Sequence, residues 1–175
     1  MRPFFATLLC LLLIAPLAAQ KQKREPLTEK QQDEIAEAGI NPVVRVNLYV
    51  RFINEYSDTI KGLVPRAKSS ARVFRMDDTL QDFAALMDEL SDNLDVYSDR
   101  KADIRKSLKG LNDSIAQWQQ MLKSVPSEPG FELSLKDAIA SANDLAGQAK
   151  QLTSDQEAYF AAHPKEKGQD RYEPQ

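Results

Sequence analysis

The chain has 175 residues, with 23 Lys+Arg against 26 Asp+Glu, so it carries no bulk attraction for nucleic acid. Its one cysteine, Cys10, lies in the apolar N-terminal stretch. Everything after it lacks disulfides, thiolate metal sites and covalent haem attachment, and a fold made from it rests on packing alone.

Met1-Arg2 gives a short positive start, Phe4 to Leu17 is almost wholly apolar, and Leu17-Ala18-Ala19 places small residues before Gln20. That pattern predicts a secretory signal peptide over 1–19, cut after Ala19. The apolar run is shorter than the ~20 residues that span a membrane. The expectation is therefore a periplasmic or secreted chain with no transmembrane helix after cleavage.

Residues 20–41 read as a polar linker carrying one short helix. Leu27-Thr28-Glu29-Lys30-Gln31 forms a capping box, in which Thr28 caps the amide three residues on and Gln31 reaches back. Gly39 stops this helix, and Asn41-Pro42 starts the next as N-cap and first-turn proline. From there 42–162 is expected to be one all-α domain, an antiparallel helical bundle or coiled coil. Its first helix, Pro42 to Gly62, has Val46, Tyr49, Ile53, Tyr56 and Ile60 on its seam.

The organising stretch follows, over about 70–125. Apolar residues recur in steps of three and four from Val73 through Leu94 and Tyr97, then from Ile104 through Trp118 to Val125, and only Lys101 breaks the seam. No proline intervenes between Pro65 and Pro126, and the one glycine is Gly110. Two architectures fit. Either the stretch is one rod of ~80 Å at ~1.5 Å per residue, or it breaks near 98–100 to give a four-helix bundle. The unbroken phase across Tyr97 and Ile104 favours the rod, whose apolar flank a second copy would cover as a swapped dimer. The poor helix formers Ser91, Asp92, Asn93, Asp95, Ser98 and Asp99 favour the break. After the breaker pair Pro129-Gly130, the last helix is expected to start near Ser134, capped with Asp137. It runs on an alanine-rich seam and ends at His163-Pro164; residues 163–175 read as a disordered tail.

Charge suggests how these pieces pack. Asp77 to Asp99 holds eight acidic residues and no basic one, while the helix before it and the stretch Arg100 to Lys123 are basic on balance. The first core helix should lie on the first half of the long stretch and the last helix on the second. With Leu135 opposite Leu122, residue 156 falls opposite 101. Lys101 is then expected to pair with Glu157 or Asp155 as a polar layer that fixes register.

Little points to catalysis or to a cofactor. His163 stands alone before a proline, and no Glu-x-x-His pair or Gly-rich phosphate loop is present. Asp78, Asp88, Asp92, Asp95 and Asp99 form a ridge opposite the seam. A cation-binding reading is open there, but the plainer one is a solvated face, because ligands on a convex helix diverge. Trp118 and the Tyr and Phe residues sit at seam spacing, so they are expected in the core before any ligand platform.

Leu27-Thr28-x-x-Gln31 recurs as Leu152-Thr153-x-x-Gln156. Paired LTxxQ motifs in an exported helical chain resemble the Spy/CpxP family of periplasmic chaperones. The resemblance covers about ten residues and implies a curved helical dimer that holds unfolded clients without ATP. On the residues themselves, the first expectation is a non-enzymatic protein that works by binding another protein or itself as a homodimer. The chaperone and cation readings stand as alternatives.

Overall fold

The computed structural model describes residues 25–166. The signal peptide expected over 1–19, most of the linker before Glu25, and the tail after Glu166 lie outside them. Five helices follow in order: α1 (Glu29–Glu37), α2 (Pro42–Leu63), α3 (Ser70–Asp99), α4 (Arg105–Ser124) and α5 (Glu132–Ala162), then a 3-10 turn at Pro164–Glu166. No strand occurs among the described residues, and the fold is an all-α helical bundle.

The helix starts follow local chemistry. Thr28 caps α1 with Gln31 returning to its amide, Asn41 caps α2 ahead of Pro42, and Ser69 caps α3. Gly39 takes φ +56° after α1. α5 begins at Glu132 without a side-chain cap, earlier than the Ser134 start expected from sequence. Ser134 instead donates its hydroxyl to Asp77 on α3, so a residue that looks like a cap is used across the bundle.

The long stretch is not a rod. α3 continues through the polar run to Asp99, and the chain then turns back over Arg100–Ile104. The turn is a Schellman motif: the Ala102 amide reaches the Tyr97 carbonyl at 2.9 Å, and the Lys101 amide reaches that of Ser98 at 3.1 Å. Lys101 occupies the left-handed position, φ +56°, where glycine is usual. No glycine announces the break. Ala102 and Ile104 are buried as plugs in the turn, so the seven-residue spacing from Tyr97 to Ile104 survives although the helix does not.

Hydrogen bonds between helices give direction and register. Ser107 donates to the Val43 carbonyl and Trp118 to Asn54, both 64 residues apart, so α4 runs parallel to α2. Asp77 meets Ser134 and Ser91 meets Gln148, both 57 apart, so α5 runs parallel to α3. Tyr49 to Glu89 and Arg45 to Tyr97 make α2 and α3 antiparallel; Asn112 to Thr153 and Gln119 to Asn143 do so for α4 and α5. The expected pairings of α2 with α3 and of α4 with α5 both occur, but each helix also has a second neighbour. Around the bundle the order is α2, α3, α5, α4, with α3 diagonal to α4.

The core is one cluster along the whole bundle, with Val46, Ile53, Leu80, Phe83, Leu90, Leu111, Trp118, Ala138 and Ala142 at 0–2% exposure. Each large apolar side chain buried this way is worth roughly 1.5–3 kcal/mol in transfer terms. Small residues on α5 let it lie close to α3 and α4, while Trp118 fills the centre edge-on to Phe83 at 6.1 Å. Gly130, at φ +104°, lets the α4–α5 loop settle on α3: a Cβ there would stand 2.5 Å from Val73 Cγ1.

Candidate functional site

At the end of the bundle where α3 begins, Arg72 and Glu128 form a buried clasp. Their side chains are 4% and 10% exposed, and Nη1 to Oε2 and Nη2 to Oε1 measure 3.0 and 3.2 Å. Arg72 Nε also donates to the Leu63 carbonyl at 2.9 Å, so one guanidinium caps the end of α2 and pins the α4–α5 loop. Beside it opens a groove of about 620 Å³ between the first turn of α3 and Pro129-Gly130. Val73, Phe74 and Pro129 give it apolar walls, and Lys68 and Asp77 stand on its rim. Phe74 is 66% exposed. An aromatic left in water beside a concavity is the kind of residue that anchors a partner.

At the opposite end the Arg100–Ile104 turn is latched by Gln156. Its amide nitrogen donates to the Ala102 carbonyl at 2.6 Å, and its oxygen accepts from the Ile104 amide at 3.1 Å. Nearby, Ile40, Val96 and Tyr97 line a smaller hollow of about 170 Å³ with Arg45 and Arg100. Arg45 is already engaged, donating to the Ile35 carbonyl and to Tyr97 Oη, each at 3.1 Å. Tyr49 donates to Glu89 at 2.6 Å; burial, with that carboxylate adding to it, pushes the phenol well above its ordinary range. These polar groups are spent on the fold.

The residues singled out from sequence scatter over both ends. Leu27 is buried, and Thr28 and Gln31 form the capping box, Gln31 also donating to Glu55 at 2.9 Å. The second LTxxQ copy lies inside α5, where no helix begins. There Leu152 is core, Thr153 accepts from Asn112 at 3.1 Å, and Gln156 is the latch. The two copies share letters and not geometry.

Lys101 is a correction to the expected polar layer. It is exposed in the turn, its ammonium 5.7 Å from the centroid of Tyr159, and among the described residues it forms no ion pair with Glu157 or Asp155. Asp155 accepts from Gln151 at 2.8 Å. Arg105 is raised in pKa first by its hydrogen bonds to Asp103, and Glu157 adds to that. Position 156 does meet the turn, but at 102 and 104, one and three residues beyond the expected 101.

Along the acidic ridge, Asp88, Asp92, Asp95 and Asp99 are exposed and Asp78 is half-buried. Asp95 accepts from Gln148 at 2.6 Å. Among the described residues no three His, Cys, Asp or Glu side chains converge in a way that would hold a metal ion. His163 stacks on Tyr159 at 4.3 Å with Nδ1 2.8 Å from that residue's carbonyl oxygen.

Sequence reasoning missed the clasp and the groove. Arg72 and Glu128 are 56 residues apart, and nothing local announces their pairing. Phe74 did carry a signal: it is an aromatic standing off the seam that Val73 and Met76 define, which is where a core residue has no reason to be. No helix among the described residues is long and apolar enough to cross a membrane. No protein-family model, no curated protein and no solved structure matches this chain.

Proposed function

We propose that this chain is an exported, non-enzymatic helical protein that acts by holding a protein partner at the groove beside Phe74. The observation that carries the reading is Phe74 itself, a two-thirds exposed aromatic on the rim of a groove of about 620 Å³. The clasp of Arg72 and Glu128 makes the floor rigid, because both side chains are already bonded and ask nothing of a ligand. What the groove offers a partner is apolar contact, with Lys68 at the edge, 80% exposed, for an acidic neighbour. Export rests on the apolar run Phe4 to Leu17 and the small residues before Gln20.

The test is site-specific. A photo-crosslinking phenylalanine analogue at position 74 should yield a discrete protein adduct in the native compartment, and the same group at the exposed Asp113 should not. Equal labelling from both positions, or none from 74, ends the reading. N-terminal sequencing of the accumulated protein should find Gln20 first.

A further inference from the structure

We infer that the Arg100–Ile104 turn is a hinge for domain swapping, and that the partner it admits is a second copy of this chain. This stands apart from the Phe74 groove, at the opposite end of the bundle. Four observations carry it.

The first is topological. α3 and α4 are consecutive in sequence but diagonal in the bundle, and their backbones do not pack together; they meet through side chains at the centre, as Phe83 meets Trp118. The molecule is thus two antiparallel hairpins, α2 with α3 and α4 with α5. They join through α2 on α4, α3 on α5, and the clasp of Arg72 with Glu128. If the turn straightens, every one of those contacts can be remade with the α4–α5 hairpin of another copy, and no α3–α4 backbone packing is lost.

The second is sequence phase. Leu94, Tyr97, Ile104, Leu108 and Leu111 keep one seam through the turn, with no glycine or proline from Arg66 to Lys109. A straightened hinge therefore places Ile104 and all that follows on the correct face of a continuous helix, ~80 Å long at ~1.5 Å per residue.

The third is strain: Lys101 holds φ +56° without being glycine, a conformation an α-helical residue escapes. The fourth is the latch. Gln156 bonds the Ala102 carbonyl and the Ile104 amide, two groups that a continuous helix would satisfy by itself. Lys101 works against the open state as well, because in a straight helix its ammonium falls on the seam. One residue thus sets the balance from both sides.

The experiment varies position 101 and reads mass and length after refolding at millimolar concentration. Lys101→Ile makes the left-handed position harder to hold and restores the seam. It should convert the chain from mainly monomer to mainly dimer by light scattering, with a maximum dimension at or above ~80 Å. Lys101→Gly should hold it monomeric. A folded Lys101→Ile that remains monomeric overturns the proposal. Should that variant fail to fold, the unaltered hinge decides. Ser91→Cys and Gln148→Cys chains beginning at Gln20, and so without Cys10, are refolded together and treated with a short bis-maleimide. Cross-linked heterodimer in excess of that from the same pair carrying Lys101→Gly shows α3 of one copy on α5 of another, and equal yields from the two overturn the hinge.

Discussion

Each end of the bundle is closed by a side chain that reaches across to a loop, but Arg72 does so with charge and Gln156 without. Arg72 brings a guanidinium into a nearly dry site and needs Glu128 to be there; Gln156 brings a neutral amide that matches one carbonyl and one amide. The first solution is rigid and intolerant of losing a partner, because the charge left behind stays buried. The second leaves no charge behind when it opens, and the backbone groups it serves have another way of being satisfied. The end with the charged clasp carries the groove, and the end with the amide latch carries the turn.

Breaking the clasp on one side should have the largest effect. Arg72→Met leaves the Glu128 carboxylate buried without its bidentate partner, and should cost about 3–5 kcal/mol in denaturant unfolding. Lys68, whose ammonium is 3.9 Å from Glu128 and whose side chain is 80% exposed, is too solvated to replace it. Removing both charges, Arg72→Met with Glu128→Leu, should recover most of the loss. A double variant as weak as the single would show that the Leu63 cap, and not the ion pair, is what the end depends on.

The latch should be worth less. Gln156→Leu leaves the Ala102 carbonyl and the Ile104 amide without a bond inside the bundle, and should cost about 1–3 kcal/mol. Hydrogen exchange should speed up at Ala102 and Ile104 before anything changes at the clasp. Equal loss of protection at both ends would mean that they do not behave as separate units.

How far these ends were legible in the sequence follows from what holds them. Helix periods, the caps at Thr28, Asn41 and Ser69, and the breaker Pro129-Gly130 are local signals, and the bundle follows from them. The break after Asp99 was legible only as one of two architectures, and the unbroken seam favoured the other, because its left-handed residue is a lysine and its buried plug Ile104 sits at the spacing of a helix seam. The composition of Ser91 to Asp99 pointed to the right neighbourhood for the wrong reason, since that run is itself helical. Arg72 with Glu128, and Gln156 with the turn, join residues more than fifty apart. Such pairs depend on which helices are neighbours, and the diagonal order was hidden by a charge pattern that either arrangement satisfies.

The two LTxxQ stretches sharpen the same contrast at smaller scale. Thr28→Ala removes an N-cap and should cost about 1 kcal/mol, felt as fraying of α1 alone. Thr153→Ala lies mid-helix, where the hydroxyl donates back to the Ala149 carbonyl and accepts from Asn112. Its loss should cost less, because alanine is the better helix former there. If Thr153→Ala is the more damaging change, the second stretch holds the α4–α5 contact more strongly than its hydrogen bonds suggest.

The smallest effect should be a gain. Lys101 sits at φ +56°, a conformation that costs a side chain about 1–2 kcal/mol and glycine almost nothing. Lys101→Gly removes that cost but gives the unfolded chain more freedom, which returns about 0.5–1 kcal/mol to the other side. The ammonium is exposed and 5.7 Å from the Tyr159 ring centroid, so its loss should forfeit roughly 0.5 kcal/mol at most. The balance is a stabilisation of about 0.5 kcal/mol, seen as a rise in midpoint temperature of roughly 1–2 °C for a domain of this size. Because the gain arises inside the turn, it should appear with the clasp intact or broken, and Arg72→Met should lose the same amount in either background. A fall in midpoint temperature on Lys101→Gly would mean that the ammonium holds the turn more strongly than its backbone strains it, and the amide latch would then not be the main tie at that end.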